Sequence, residues 1–361
     1  MRKIFLCLLF CLCLFACKNR VEGEVTVPEV YLDGKELLVD SFYMGKYLML
    51  LTGDGELVMP SYLRDSVMYV GKLKGDSVIT ADGFLACGMG PNEISSSFSV
   101  SECCSDSVFT FLDWNGGRLN FVYNIPVAEK KRKNKTLWKR YTFERVVKYR
   151  CAVPALVLLS DTTLLLGAGA YCEPYVLSVV NLNTQEITPV DFWPDGDGVE
   201  CPNLTRQAVY MNNARLYKNG NQILYSCGMG HYAFIFELDG SKMVHKKVLF
   251  DVYPEYKVNA DGMNYDYTSS WFSELKFFTT QKFIYVMVLK YDRVKKKPYK
   301  EYPYYYNDEI LVFDWEGNKV KKYVLDIPFN FFVIDEKDER MYTETVVLNT
   351  GEDLLRSYRL E

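Results

Sequence analysis

An all-β chain folded as a six-bladed β-propeller is what three features of this sequence predict. A hairpin-like unit centred on a short turn recurs six times, continuous apolar runs of strand length lie between the units, and long amphipathic helical patterns are missing. The composition agrees: 28 Tyr and 22 Phe suit a pleated, half-buried surface better than a helical stripe.

The elements follow in chain order. The opening "MRKIFLCLLFCLCLFACKNR" has a basic start at Arg2 and Lys3, an apolar run from Ile4 to Phe15 and a small residue, Ala16. That run is shorter than the roughly 20 residues a helix needs to cross a bilayer, and the order of its parts is that of a secretory signal peptide. Cys17 comes directly after Ala16, and "LFAC" resembles the lipobox of bacterial lipoproteins, whose cysteine is lipidated before cleavage in front of it. Phe15 is bulkier than usual there, at a tolerant position. The predicted organisation is a lipoprotein signal peptide over 1–16, a lipidated tether over 17–29 and a propeller over 30–361. Acyl chains supply about 0.8 kcal/mol per buried methylene, so the membrane partner is reached through Cys17. Lys18 is not a retention signal of the Asp type, which makes the outer membrane of the cell envelope the expected home, on a side the sequence leaves open.

Without residues 1–16 the formal charge moves from −4 to −6 as Arg2 and Lys3 leave. No general nucleic-acid footprint remains. Seven cysteines follow Cys17, namely Cys87, Cys103, Cys104, Cys151, Cys172, Cys201 and Cys227. The number is odd and the spacing fits no paired C-x-x-C zinc pattern, so no metal or cofactor is expected. A chain this long can bury roughly 75% of its extended surface without staples. Free buried thiols are therefore expected, with one or two disulfides left open.

The six units are "LMLLTGDGELVM" from Leu48, "VFTFLDWNGGRLNFVY" from Val108, "LSVVNLNTQEITPV" from Leu177, "FIFELDGSKMVHKKVLF" from Phe234, "ILVFDWEGNKVKKYVL" from Ile310 and "TVVLNTGEDLLRSYRL" from Thr345. Asp, Asn and Gly tolerate the positive backbone angles of tight turns, so each unit reads as a β-hairpin. "FLDWNGGRL" and "VFDWEGNKV" suggest a true repeat, and about 58 residues per unit falls in the propeller range. Runs such as "KFIYVMVLKY" read as strands buried on both faces. The segment "EVYLDGKELLVDSF" is strand-like and is expected to complete the last blade, joining the chain ends.

"CGMGPNE", residues 87–93, invites a phosphate-loop reading, but no helix follows it and the third glycine of G-x-G-x-x-G is absent. Gly88, Gly90, Pro91 and Glu93 are read instead as a blade connector, with glycines permitting a sharp crossing and proline fixing the bend. "GMGPNEI" resembles the G-x-G-P-x-E segment of the TolB-like six-bladed propeller lipoproteins of Gram-negative envelopes, where it joins an early blade to the next. "FFVIDEKDERMYTETV" from Phe331 is similar to that family's last-blade pattern. The resemblance implies fold and location and carries over no catalytic residues. TolB itself is an interaction module, which favours binding.

Six-bladed propellers also include lactonases and lyases that hold a metal in the channel with Asp, Asn and Glu. Here His231 follows a Gly-rich turn, and His245 sits beside lysines on an expected outer strand. Asp113, Asp239 and Asp314 fall at hairpin turns, where carboxylates cap local backbone. Two surface features could bind. One is the basic loop "EKKRKNKTLWKR" (129–140) with Trp138, for which a solvated connector is the blander reading. The other is the insertion 291–308, with Tyr291, Tyr299, Tyr302, Tyr304, Tyr305 and Tyr306. Tyrosine gives stiff contact area with a polar tip. The favoured reading is a lipid-anchored, non-catalytic binding or scaffolding module for an envelope protein or glycan. The alternative is a metal-dependent lactonase or lyase, and a third reading is a purely structural envelope role.

Overall fold

The computed structural model describes residues 27–39, 50–52, 55–60, 66–88, 90, 92–95, 98–101, 108–113, 120–143, 155–167, 175–194, 196–211, 213–260, 262, 264–269, 271–292, 303, 305–347 and 352–361. Its strands form six sheets of four or more strands and one two-stranded ribbon.

The N-terminal segment contributes three short strands, β1 (Glu29–Leu32), β2 (Lys35–Glu36) and β3 (Leu38–Val39). Blade 1 contains β4 (Leu50–Leu51), β5 (Glu56–Pro60), β6 (Ser66–Lys74) and β7 (Ser77–Cys87), and β8 (Glu93–Ile94) pairs parallel to β7. Blade 2 contains β9 (Phe98–Val100), β10 (Val108–Asp113), β11 (Asn120–Pro126) and β12 (Lys139–Phe143), with a short helix α1 (Glu129–Arg132) before its last strand. Blade 3 contains β13 (Ala155–Ser160), β14 (Thr163–Gly167), β15 (Leu177–Asn181) and β16 (Ile187–Pro189). Helix α2 (Asn203–Met211) leads into blade 4, made of β17 (Arg215–Asn219), β18 (Gln222–Ser226), β19 (His231–Asp239) and β20 (Lys242–Val252). The ribbon β21 (Tyr256–Val258) and β22 (Tyr265–Tyr267) precedes blade 5, made of β23 (Trp271–Thr279), β24 (Phe283–Asp292), β25 (Asn307–Asp314) and β26 (Lys319–Phe329). Blade 6 contains β27 (Phe331–Ile334), β28 (Arg340–Val347) and β29 (Glu352–Arg359), completed by β2.

The sheets pack face to face because each carries apolar side chains on both surfaces, and a lone sheet would leave one surface in water. One core cluster joins Val58 and Met68 of blade 1 to Phe109 and Phe111 of blade 2. A second joins Leu112 of blade 2 to Leu156 of blade 3. A third runs through blades 3, 4 and 5, from Val157 through Leu224 to Val286. The fourth returns through blades 5 and 6 to blade 1, from Tyr285 through Met341 to Leu57. Neighbouring first strands also lie together: β9 on β13, β13 on β17, β23 on β27, and β27 on β4. The apolar surfaces therefore close into a ring.

All six expected hairpins are present as antiparallel pairs, but they do not occupy equivalent places. β4–β5 joins the first two strands of its blade; β10–β11 and β28–β29 join the middle pair; β15–β16, β19–β20 and β25–β26 join the outer pair. This explains the uneven spacing read in the sequence. It also corrects the suggested repeat: "FLDWNGGRL" and "VFDWEGNKV" lie at a middle and an outer hairpin. The same Asp/Gly chemistry serves any tight antiparallel turn.

The N-terminal segment completes blade 6 and does more. β1 adds parallel to the outer edge of β26 in blade 5, β2 pairs antiparallel with β29, and β3 pairs parallel with β7 in blade 1. Eleven residues thus cross the outer edges of three consecutive blades. Leu32 and Leu37 are buried along this belt. The Leu37 N–H donates to the Leu355 carbonyl at 2.8 Å and the Leu38 N–H to the Asp76 carbonyl at 2.9 Å. Asp326 gathers the crossing, accepting from the Gly34 N–H at 3.3 Å, the Tyr358 hydroxyl at 3.0 Å and Arg356 at 2.8 Å.

Candidate binding surface

Antiparallel order sorts the connections onto two rims of the ring. Turns between first and second, and third and fourth, strands fall on one rim. Those between second and third strands, and between blades, fall on the other. On the first, here the turn rim, most connections are short, such as 75–76, 161–162, 220–221 and 240–241. The second, the insertion rim, receives 88–97, 190–214 with α2, 253–270 with the β21–β22 ribbon, and 293–306.

The tyrosine insertion leaves β24 and re-enters β25 on the insertion rim. Tyr291 is half-buried near the end of β24. Tyr305 is 37% exposed, Tyr306 is buried, and their rings stand 5.1 Å apart. The Tyr306 N–H donates to the Pro303 carbonyl at 3.0 Å. Tyr299, Tyr302 and Tyr304 lie outside the described residues, as do Pro91 and the lipidation residue Cys17.

On the same rim, tyrosines build a support that the sequence reading missed. Three hydroxyls donate to successive carbonyls at the end of α2: Tyr265 to Ala208 at 3.3 Å, Tyr267 to Val209 at 3.4 Å and Tyr225 to Tyr210 at 2.7 Å. A helix end leaves such carbonyls without intrahelical donors. Asp197 accepts on a single oxygen from Tyr210 at 2.9 Å and Tyr256 at 2.7 Å, while the Val199 N–H reaches its other oxygen at 3.0 Å. Burial, and then the Asp197 carboxylate, push both phenols well above their ordinary range. Both stay neutral donors, which suits a scaffold. Helix α2 is the element least visible in the sequence, because its apolar residues crowd its last turn at Val209, Tyr210 and Met211.

The "GMGPNE" segment joins blade 1 to blade 2, and its chemistry is visible. The Glu93 carboxylate folds back over the turn and accepts from the Gly90 N–H at 2.7 Å. A Cβ on Gly88 would stand 2.0 Å from Glu93 Oε2, and one on Gly90 2.9 Å away. The two glycines are required because a carboxylate occupies the space a side chain would take. The Tyr123 hydroxyl of blade 2 then donates to the Glu93 carbonyl at 3.0 Å. Asp113, expected to cap its own hairpin, is instead buried and accepts from the Ser95 N–H at 3.1 Å and the Ser95 hydroxyl at 2.5 Å, so it ties the same connector down. Asp314 does cap locally, accepting from the Asn318 N–H at 2.8 Å.

Trp138 sits across the ring thickness from the tyrosine insertion, on the turn rim of blade 2. Its indole N–H donates to the Arg132 carbonyl at 2.9 Å, and it packs on the core between blades 1 and 2. Arg132 is 4% exposed and pairs with Glu56, also 4% exposed, at 2.8 Å. Around them Lys72 meets Glu129 at 2.7 Å and Glu129 meets Lys133 at 3.0 Å. Lys72, then Lys133, hold the Glu129 carboxyl down at about 2. The root of the basic loop is therefore a clamp between two blades.

The histidines have separate places. His231 Nε2 lies 3.1 Å from the Leu289 carbonyl, joining blades 4 and 5, and burial lowers its pKa. His245 is exposed at an irregularity of β20, with φ of 53°. Lys276 is half-buried on the first strand of blade 5, donates to the Asn330 carbonyl at 3.1 Å, and is pushed down to about 8 by desolvation. The described cysteines Cys87, Cys201 and Cys227 are free thiols; Cys227 is buried and Cys87 exposed. Among the described residues no group of three or more His, Cys, Asp or Glu is placed to hold a metal ion.

Sheets closed radially around shared first strands define this protein as a β-propeller. More particularly, residues 195–337 match the family described as TolB-like 6-blade propeller-like. That stretch includes neither the lipobox nor Gly88–Ile94 and shares only residues 331–337 with the last-blade segment, so it supports the resemblance largely from another part of the chain. No curated protein matches the chain. Among solved structures, a Bacteroides fragilis protein classed by its description as exported superposes with a TM-score of 0.53 at 14% identity, over 93% of this chain and 100% of that one. Chaetomium thermophilum Raptor gives 0.44 at 11% identity, over 91% of this chain and 29% of that one. The β-propeller domain of Myceliophteria thermophila Cps50 gives 0.44 at 9% identity, over 91% and 100%. At such identities the likeness concerns the fold alone.

Proposed function

We propose that this protein is a lipid-anchored propeller of the cell envelope, a non-catalytic module that presents its insertion rim to a protein or glycan. The observation that carries this reading is the sorting of connections: the long, tyrosine-bearing segments share one rim, over a support of tyrosine hydroxyls and Asp197. Tyrosine and tryptophan supply broad, stiff contact surface at small entropic cost, and planar rings stack on sugars. The apolar run before Cys17 and the similarity to an exported Bacteroides fragilis protein support an envelope location. An outer-membrane anchor at Cys17 belongs to the same proposal.

The test is capture from envelope extract with the tethered wild type and a Tyr302→Ala/Tyr304→Ala/Tyr305→Ala variant. Loss of a specific partner or glycan fraction in the variant is expected; an unchanged set would contradict the assignment to this rim. Fatty-acid labelling, with Cys17→Ser as control, tests the anchor separately.

A further inference from the structure

On the turn rim, the connection 127–138 of blade 2 is long, whereas the other fully described connections are turns of a few residues. Lys130, Lys131 and Lys135 are exposed on it, and Leu137 is 46% exposed between the last of these and Trp138. Lys133 and Lys139 lie alongside, the first paired with Glu129 at 3.0 Å and the second 3.8 Å from Asp161. The Arg132–Glu56 pair and the Trp138 indole fix the knob from below. The shorter turns around the rim carry mixed charge, with exposed Asp76 near Lys74, Asp239 near Lys242, Glu316 near Lys319 and Glu336 beside Lys337. On the connection 127–138, by contrast, lysines are clustered and only Glu129 is acidic.

The entry of the chain provides a second, independent observation. β1 runs parallel to β26, with Glu29 opposite Lys322, and β26 starts from the turn at 315–318. The chain therefore enters the folded body from the turn rim of blade 5, three blades round the ring from the knob. From Cys17 to Glu29 it has twelve steps, enough to span about 40 Å when extended.

We infer that the basic knob of blade 2 docks on anionic phospholipid headgroups, so that the turn rim faces the membrane and the insertion rim faces away. Exposed lysines are drawn to a negative lipid surface within a Debye length, and an adjoining leucine can enter the headgroup boundary. The orientation rests on the anchored reading above; the headgroup contact does not.

The chain from Lys18 onward, which carries every described residue and no lipid, tests the contact by co-sedimentation with vesicles of phosphatidylglycerol and phosphatidylcholine at low salt. Wild type should bind these and not pure phosphatidylcholine vesicles. Lys130→Glu/Lys131→Glu/Lys135→Glu should lower the partition by at least about tenfold, while Lys257→Glu on the insertion rim leaves it unchanged. Equal binding by the triple variant, absence of binding to mixed vesicles, or binding to a soluble acidic polysaccharide but not to vesicles would overturn the inference. A failure of fatty-acid labelling at Cys17 would remove the anchor and leave this result standing.

Discussion

Gly88 and Glu93 show how much a single close approach dictates at the residue scale. A methyl group on Gly88 would push the Glu93 carboxylate off the Gly90 N–H, so Gly88→Ala should destabilise the protein by about 1.5–3 kcal/mol, the range for a hydrogen bond to a charged group. In a Glu93→Ala background the same change should cost little, because the obstacle is gone; urea unfolding of the four proteins in the cycle measures this. Glu56→Ala would strand the buried Arg132 and should cost about 3–5 kcal/mol, read the same way. Two titrations make stability rise with pH, in separate windows. Glu129 is held below its usual carboxylate range, so its contribution is full above about 4.5 and is lost as pH falls towards about 2. Lys276 is depressed to about 8 from 10.5, so the unfolded chain binds the extra proton between these values. Stability should accordingly rise with pH across that window in wild type, and Lys276→Met should flatten the rise.

At the scale of elements, the belt over Glu29–Val39 is the feature whose consequence reaches furthest. Leu37 is buried against blade 6, and Leu37→Ala should cost about 2–5 kcal/mol by denaturant unfolding. The hairpins were legible in the sequence because turn chemistry is local: Asp, Asn and Gly between alternating runs announce a turn wherever it occurs. Which hairpin of a blade each one forms was not legible, since that depends on which strand lies nearest the axis. The belt was read as closing one blade, whereas it also edges two others; two-residue strands such as β2 and β3 leave no periodicity to detect. Helix α2 was missed for a related reason, its apolar residues lying at one end. The Asp113–Ser95 bond and the Arg132–Glu56 clamp join partners 18 and 76 residues apart, and no spacing rule announces such pairs.

At the scale of the whole molecule, alternating strand direction divides a ring into two rims with different tasks. One gathers long, tyrosine-rich connections; the other holds short turns, the entry of the chain and one basic knob. The most direct measurement of this division is amine labelling of the lipidated protein on vesicles containing phosphatidylglycerol, read by mass spectrometry residue by residue. The account predicts that Lys130, Lys131 and Lys135 become several-fold slower to react than in the unlipidated chain free of vesicles, while Lys257 on the insertion rim reacts at the same rate in both. Protection of Lys257, or equal reactivity of all four lysines in the two states, would contradict it.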